Sequence, residues 1–326
     1  MRVQTEGKSL YKVKIGIIFE EKITMHKSLF YIILICILIG NSVPLYSQNY
    51  VDIFSAGSAY SPDNILNNPA NKINVSESAA SLKLPVLLKN KDVLFFGLST
   101  DMFSFNNHFI TSNGEPFYSV ALQLGYTKHW NDNWSTMLIA IPKISSDMKD
   151  IGSKDFQAGG LLIFTYTKKD NLKYKFGLYY NQECFGPFFV PIVGINWQPT
   201  DKISVFGNLP INFTFDYKIS RRFSTGIYFE SLIDTYRLGD MYNSDYLQKN
   251  AQDISVYFDT YFTKNIVLTI KGGHSFGRSY FLYNEDEKLT AGILSLQLGN
   301  KRAPLNVNIN DGFILEMKLS YRIFTK

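Results

Sequence analysis

Cysteine is almost missing from this chain: Cys36 and Cys184 are the two among 326 residues. Cys36 falls midway in an apolar leader, so a processed chain keeps one thiol. That excludes a disulfide framework and a cysteine-built zinc site. Long apolar runs are missing too. The longest, at positions 29–40 (LFYIILICILIG), has about 12 residues, where a spanning helix needs about 20. With a mean hydropathy of −0.07, this excludes a polytopic helical membrane protein. Charge is scarce at 19% of residues, against roughly 25% in soluble domains. The net charge of +5 is misleading, because positions 1–48 hold six of the 33 basic and three of the 28 acidic residues. The remaining 27 and 25 nearly balance, and no basic strip with stacking aromatics occurs, so nucleic acid is not an expected partner.

What the chain does hold is aromatic residues and alternation. There are 26 Phe and 21 Tyr against 3 Trp. High aromatic content with middling hydropathy suits sheets that are apolar on one face and polar on the other. In 173–180, Tyr174, Phe176, Leu178 and Tyr180 share one face, and Lys173, Lys175, Gly177 and Tyr179 the other. Phe213, Phe215 and Tyr217 likewise oppose Asn212, Thr214, Asp216 and Lys218. Tyr118, Val120, Leu122, Leu124 and Tyr126 alternate with Ser119, Ala121, Gln123, Gly125 and Thr127. Near the end, Phe313, Leu315, Met317, Leu319, Tyr321 and Ile323 alternate with Ile314, Glu316, Lys318, Ser320 and Arg322. Period-2 alternation is the strand signal.

The connections alternate as well. Short ones fall at 89–92, 131–133, 168–171, 198–201, 220–222 and 263–265. Longer ones fall at 101–116, 145–154, 183–189, 236–250 and 279–287. Two places break the rule: a tight turn near Pro210, and a long stretch at 300–311 where a short turn is expected. Short turns on one rim and long loops on the other are the layout of an outer-membrane barrel. Most segments reach the 9–11 residues or so that a spanning strand needs, well beyond the mode of about 5–6 in globular proteins. Aromatics also gather at segment ends, as in 126–130, 179–180 and 257–262. The expectation is all-β: a transmembrane antiparallel up-and-down β-barrel of about 14 strands, with 12 as the alternative count.

Positions 25–48 read as a secretory signal peptide, with a short positive region, an apolar run and a polar tail of small residues. Residues 1–24 play no part in that unit and read as an extension ahead of the true start at Met25. Residues 49–74, rich in Asn, Ser, Ala and Pro, read as an N-terminal periplasmic segment, and 75–326 as the barrel.

The polar face carries the candidate lumen residues: Lys173, Lys175, Asp216, Lys218, Glu230, Asp253, Asp259, Glu316, Lys318 and Arg322. Both signs are present. Such a face builds either an interior ion-pair network or a polar channel lining, and mixed signs argue against a strongly ion-selective pore. No catalytic, cofactor-binding or metal site is expected. Three histidines follow the leader: His108, His129 and His274. His274 and Ser275 are neighbours on a strand and point to opposite faces, so they do not form a nucleophile–base pair. No nucleophile motif is read along the chain, and no H-E-x-x-H. Gly272, Gly273 and Gly277 precede no helix, so they relieve bending or crowding in a strand and do not cradle phosphate.

The stretch FGPFFVPIVGINWQPTDKISVFGNLPINFTFDYKIS (185–220) resembles a family of uncharacterised outer-membrane proteins from Bacteroidota, catalogued as a domain of unknown function. LKLPVLLKNKDVLFFGLS (82–99), GHSFGRSYFL (273–282) and the final strand resemble further parts of its pattern. The resemblance covers most of 75–324 and implies a barrel and an outer-membrane location, reached through the periplasm, without implying an activity. The expected role is diffusion or transport of small solutes. A structural or assembly component of an envelope or secretion complex and a membrane-embedded lipid-active enzyme stay open as alternatives. The expected partners are outer-membrane lipid and other envelope proteins.

Overall fold

Residues whose side chains alternate between two solvents build strands, and here they do so from Tyr50 to Phe324. The computed structural model describes residues 50–66, 68–106, 110, 114–294, 296–306, 309 and 311–324. The expected signal peptide at 25–48, the expected extension at 1–24 and His108 lie outside the described residues. The strands are β1 (Tyr50–Leu66), β2 (Asn68–Leu87), β3 (Val93–Phe105), β4 (Phe117–His129), β5 (Trp134–Ser146), β6 (Phe156–Lys169), β7 (Leu172–Glu183) and β8 (Gly186–Thr200). They continue as β9 (Ile203–Leu209), β10 (Asn212–Lys218), β11 (Phe223–Arg237), β12 (Tyr246–Tyr261), β13 (Ile266–Tyr283), β14 (Ala291–Ile293), β15 (Leu296–Leu298) and β16 (Gly312–Phe324).

Each wall strand pairs antiparallel with its neighbour in the wall. β1 pairs with β16, from Tyr50↔Phe324 to Tyr60↔Leu315, and β8 pairs with β9, so the sheet closes on itself. Fourteen of the described strands form the wall. β14 and β15 make a small hairpin inside the β13–β16 connection. The fold is therefore a closed, up-and-down, antiparallel barrel. Closure leaves no sheet edge running the full height of the wall, which is what a β structure needs in hydrocarbon.

Several boundaries differ from the sequence reading. Residues 50–66 and 68–74 are wall strands, not a periplasmic segment, and the barrel begins at Tyr50 rather than at 75. Segment 183–189 is not a long loop: only Cys184 and Phe185 lie between β7 and β8. β13 and β16 are joined by one long connection that includes β14 and β15, and the tight turn at Pro210 points toward the rim of the long loops without reaching it. Neither therefore upsets the even count.

One rim, the turn rim, carries the short turns together with Tyr50 and Phe324. The other, the loop rim, carries the segments 106–116, 147–155, 238–245 and 284–311. Outward faces are apolar along β4, β7, β10 and β16, with Leu122, Leu124, Phe176, Leu178, Phe215, Leu315, Met317 and Leu319 all exposed. Near the turn rim the exposed outer residues are aromatic: Tyr126, Trp130, Trp134, Trp197, Tyr217, Phe223 and Phe262. An apolar band bounded by an aromatic girdle is the lipid-facing surface of a transmembrane barrel.

One part of the wall is incomplete. β9 and β10 have seven residues each, while their neighbours β8 and β11 have fifteen. β10 pairs with β11 only as far as Asn212↔Glu230, and β9 with β8 only as far as Val193↔Leu209. Past those points β11 has no wall partner on that side. It crosses to the opposite wall, where Arg237 pairs with Ser146 of β5. A bulge helps the turn inward. The β12–β13 register shifts between Asn250 and Gln252, and opposite it Gly277 has φ +59°, a left-handed conformation that suits glycine.

Candidate functional site

Inside a 14-stranded wall there is more room than side chains pointing straight inward fill in an eight-stranded barrel. Here the interior is occupied at three levels. Nearest the turn rim is a buried network centred on Arg322 of β16, which is 2% exposed. Its Nε donates to Asp52 Oδ1 at 2.8 Å and its Nη1 to Asp259 Oδ2 at 2.6 Å and Tyr261 Oη at 3.0 Å. The guanidinium lies 3.6 Å from the centre of the Tyr50 ring. Lys318 Nζ stands 3.5 Å from Asp52, and Tyr257 Oη donates to Asp216. A buried guanidinium is stable only when its donors are met, and Arg suits this because its fork reaches several acceptors at once.

At mid-depth the side chains stand back from one another. Glu230, Asp253, Glu316 and Lys318 line a cavity of about 340 Å³, with Glu77, Asp101, Asp234, Lys249 and Lys271 on its other sides. Both signs of charge line it, six carboxylates and three lysines. Lys271 Nζ donates to Glu316 Oε2 at 2.9 Å and lies 4.1 Å from the Tyr228 ring centre. Lys249 Nζ donates to Glu77 Oε2 at 2.6 Å.

Toward the loop rim the interior turns apolar. Phe103 stacks on Phe117 at 5.1 Å and meets Tyr236 edge-on at 4.9 Å, while Phe105 meets Tyr280 at 5.1 Å. With Ile73, Val75, Leu238 and Leu247 these form a buried plug. The end of β11 is held across the lumen by polar contacts. Lys143 of β5 donates to Asp234 at 2.8 Å and stands 3.6 Å from Glu183 of β7. Glu183 Oε2 accepts from Thr235 Oγ1 at 2.6 Å and from the Thr235 amide at 3.1 Å. Gln157 Nε2 donates to the Thr235 carbonyl at 2.9 Å. These side chains stand where β10 would have paired. Cys184, in the turn beside them, is half-buried, and its loss of solvent pushes the thiol up to about 11.

The sequence-predicted lumen residues separate accordingly. Glu230, Asp253, Glu316 and Lys318 meet at the mid-depth cavity. Arg322, Asp259 and Asp216 belong to the turn-rim network. Lys173 and Lys175 are buried on β7 and do not line the mid-depth cavity. Lys218 is exposed at the end of β10. Asp52, Glu77, Asp101, Lys143, Glu183, Asp234, Lys249 and Lys271 were not picked out. A signal for most of them existed: each sits at an alternate position in a strand whose other face is apolar or small.

One motif also escaped the sequence reading. Residues 273–277, Gly-His-Ser-Phe-Gly, have G-x-S-x-G spacing. They lie within β13 rather than on a strand-to-helix turn, so they lack the sharp elbow that exposes a nucleophile. Ser275 is buried opposite Asp253 on the inner face. His274 packs on the outer face against Phe276 and Phe313, at 4.9 and 5.3 Å between ring centres. His129 ends β4, its amide donating to Asp92 Oδ1 at 2.8 Å. Among the described residues no group of three or more His, Cys, Asp and Glu side chains is arranged to hold a metal ion.

Solved structures similar to this one include an outer membrane channel from Pseudomonas putida F1, 8% identical, covering 87% of this chain and 100% of its own, with a TM-score of 0.40. The P. putida toluene transporter TodX is 8% identical over 83% of this chain and 89% of its own, with a TM-score of 0.38. The NanC porin is 9% identical over 83% and 99%, with a TM-score of 0.36. Among curated protein sequences none matches. A family model described as a domain of unknown function (DUF6268) matches residues 52–291, starting within β1, and the chain belongs to that family.

Proposed function

We propose that this barrel is an outer-membrane channel for small solutes, closed in the conformation described here by the inward-leaning ends of β11–β13. The observation that carries this reading is the polar cavity at mid-depth, lined by both signs of charge and standing between a charged constriction and an apolar plug. A packed scaffold would gain nothing from leaving that space, and a lining of mixed sign serves polar solutes without strong charge selection. The plug consists of side chains and strand ends held by a few cross-lumen contacts, so it can move without opening the wall. The aromatic girdle and the apolar band support an outer-membrane location.

The test is conductance in planar bilayers. Ser146 and Arg237 are paired positions across the lumen, close enough for a disulfide between cysteines placed there. Ser146→Cys with Arg237→Cys, in a Cys184→Ser background, is expected to give brief small openings when reduced and none when oxidised. Silence in the reduced protein, and in a Phe103→Ala, Tyr236→Ala variant that still migrates as a heat-modifiable barrel, would overturn the channel reading. A second reading, a structural component among other envelope proteins, is favoured by the closures on both sides of the cavity. It predicts that silence together with stable co-purification of envelope proteins.

A further inference from the structure

The short β9–β10 hairpin leaves a window in the wall, and the window opens into a pocket of about 550 Å³ separate from the mid-depth cavity. Its floor is Pro210 and Ile211 at the tip of that hairpin. One side is the inner face of β7 and β8, with Tyr179, Phe188 and Val190. The other side is the outer face of β11, which has turned inward and brought Phe229 and Ile233 with it. Leu294, just before β15, closes the top. β14 is seated there by pairing with β8 at Phe188 and Phe189, and Gly292 allows the approach: a Cβ on it would lie 2.8 Å from the Phe188 ring. Leu232 and Asp234 line both this pocket and the mid-depth cavity, so β11 is the partition between them.

Three features define what this pocket accepts. First, it meets the lipid belt. The strand pair just below the window carries Val193 and Leu209 on its outer face, both exposed. A molecule dissolved in the bilayer reaches the pocket without crossing water. Second, the β11 edge offers backbone groups. The Ser231 amide donates to the Ile211 carbonyl at 2.8 Å, and the Thr235 amide to Glu183. Strand alternation therefore turns the N–H and C=O of Ile233 toward the same gap. Polar backbone facing hydrocarbon is costly, and a ligand that hydrogen-bonds there offsets the cost. Third, the polar side chains around that edge are neutral: Ser231, Asn250, Gln252 and Gln297. Among the described residues the single charged one in the lining is Asp234, which is paired with Lys143, and none is Lys or Arg. A ligand with an anionic head would find a carboxylate and no cation.

We infer that this pocket binds a neutral, single-chain amphiphile drawn laterally from the bilayer. Its chain lies against Phe188 and Val190, and its hydroxyl or amide head meets the Ile233 edge. The volume is within the roughly 300–1,000 Å³ of small-molecule sites. The inference does not depend on solute flux through the lumen. A silent channel would leave it standing, and an empty pocket would leave the channel reading standing.

The experiment is photolabelling of the full barrel in phosphatidylcholine vesicles with a diazirine analogue of 1-decanol, with decanoate bearing the same group as the comparison. Labelled peptides are expected to centre on 186–192, 229–234 and 291–298, to be competed by unlabelled decanol, and to exceed those from decanoate several-fold. Ser231→Trp and, separately, Ala251→Leu narrow the pocket and are expected to lower that labelling several-fold, with heat-modifiable migration confirming that each variant is folded. Uncompeted labelling spread evenly over outer-face peptides such as those holding Val256 and Ile270 would overturn the site. Equal labelling by decanoate would overturn the neutral head.

Discussion

The two halves of this wall obey the same chemistry with different strand lengths. From β2 to β7 each strand is 12 to 20 residues long and finds both partners in its sequence neighbours. From β8 to β13 the hairpin β9–β10, with seven residues in each strand, interrupts that pattern. β11 loses its partner above Glu230 and replaces it with side chains: Glu183 for the Thr235 amide, Gln157 for its carbonyl. Backbone polar groups in a membrane must be met somewhere, so a missing strand becomes a folded-in one. The regular half is a wall. The irregular half is both a wall and its own plug, and it carries the lateral pocket as a consequence.

Breaking each half should therefore cost differently. The largest effect is expected from Arg322→Met in the turn-rim network, which strands Asp52 and Asp259 together. A loss of about 3–5 kcal/mol in denaturant unfolding from lipid vesicles is expected, the scale for removing one partner of a buried pair. Adding Asp259→Asn should recover part of it, and additivity of the two substitutions would show that they do not interact. Glu183→Gln comes next. It keeps an acceptor for Thr235 but removes the charge facing Lys143, so about 1–3 kcal/mol is expected. The loss should appear as faster hydrogen exchange in β11 above Glu230 while β3–β6 stay protected. Uniform loss across all strands would erase the distinction between the halves.

The smallest effect lies in a turn of the regular half. Asp92, between β2 and β3, accepts from the Tyr126 hydroxyl, from the His129 amide and from Asn90, and these bonds hold its carboxyl below the usual carboxylate value. A lowered folded value stabilises above the unfolded pKa of about 3.9 and is lost as pH falls through the folded one. Asp92→Asn should lower the melting temperature slightly at pH 7, and the gap should narrow toward pH 3. A constant gap would assign the effect to hydrogen-bond geometry alone.

Much of this architecture is legible in the sequence. The alternation in 173–180 and 313–323 predicted which side chains face lipid, because Phe, Leu and Met contrast sharply with Lys, Glu and Arg. Strands β1 and β2 were not legible for the opposite reason. Their residues around Ser55–Tyr60 and Ser76–Ser81 are mostly Ser, Ala and Gly, whose two faces differ little, so the barrel seemed to start too late. The polar lining is recognised strand by strand. Its pairings are not, because Arg322 meets Asp52 and Asp259 through register across four strands, and Lys143 meets Asp234 across the lumen. The tight turn at Pro210 is visible in the sequence as an irregularity. What it does to β11 follows only once the neighbouring strands have lengths and partners.

The most direct measurement is the distance between spin labels at Ser146 and Arg237, introduced as cysteines in a Cys184→Ser background and kept unlinked in lipid bilayers. The folded-in half predicts labels close enough for strong dipolar broadening, with the same broadening absent for a pair at Ser146 and Thr225, low on the β11 wall. Labels at 146 and 237 separated by the full width of the barrel would contradict it.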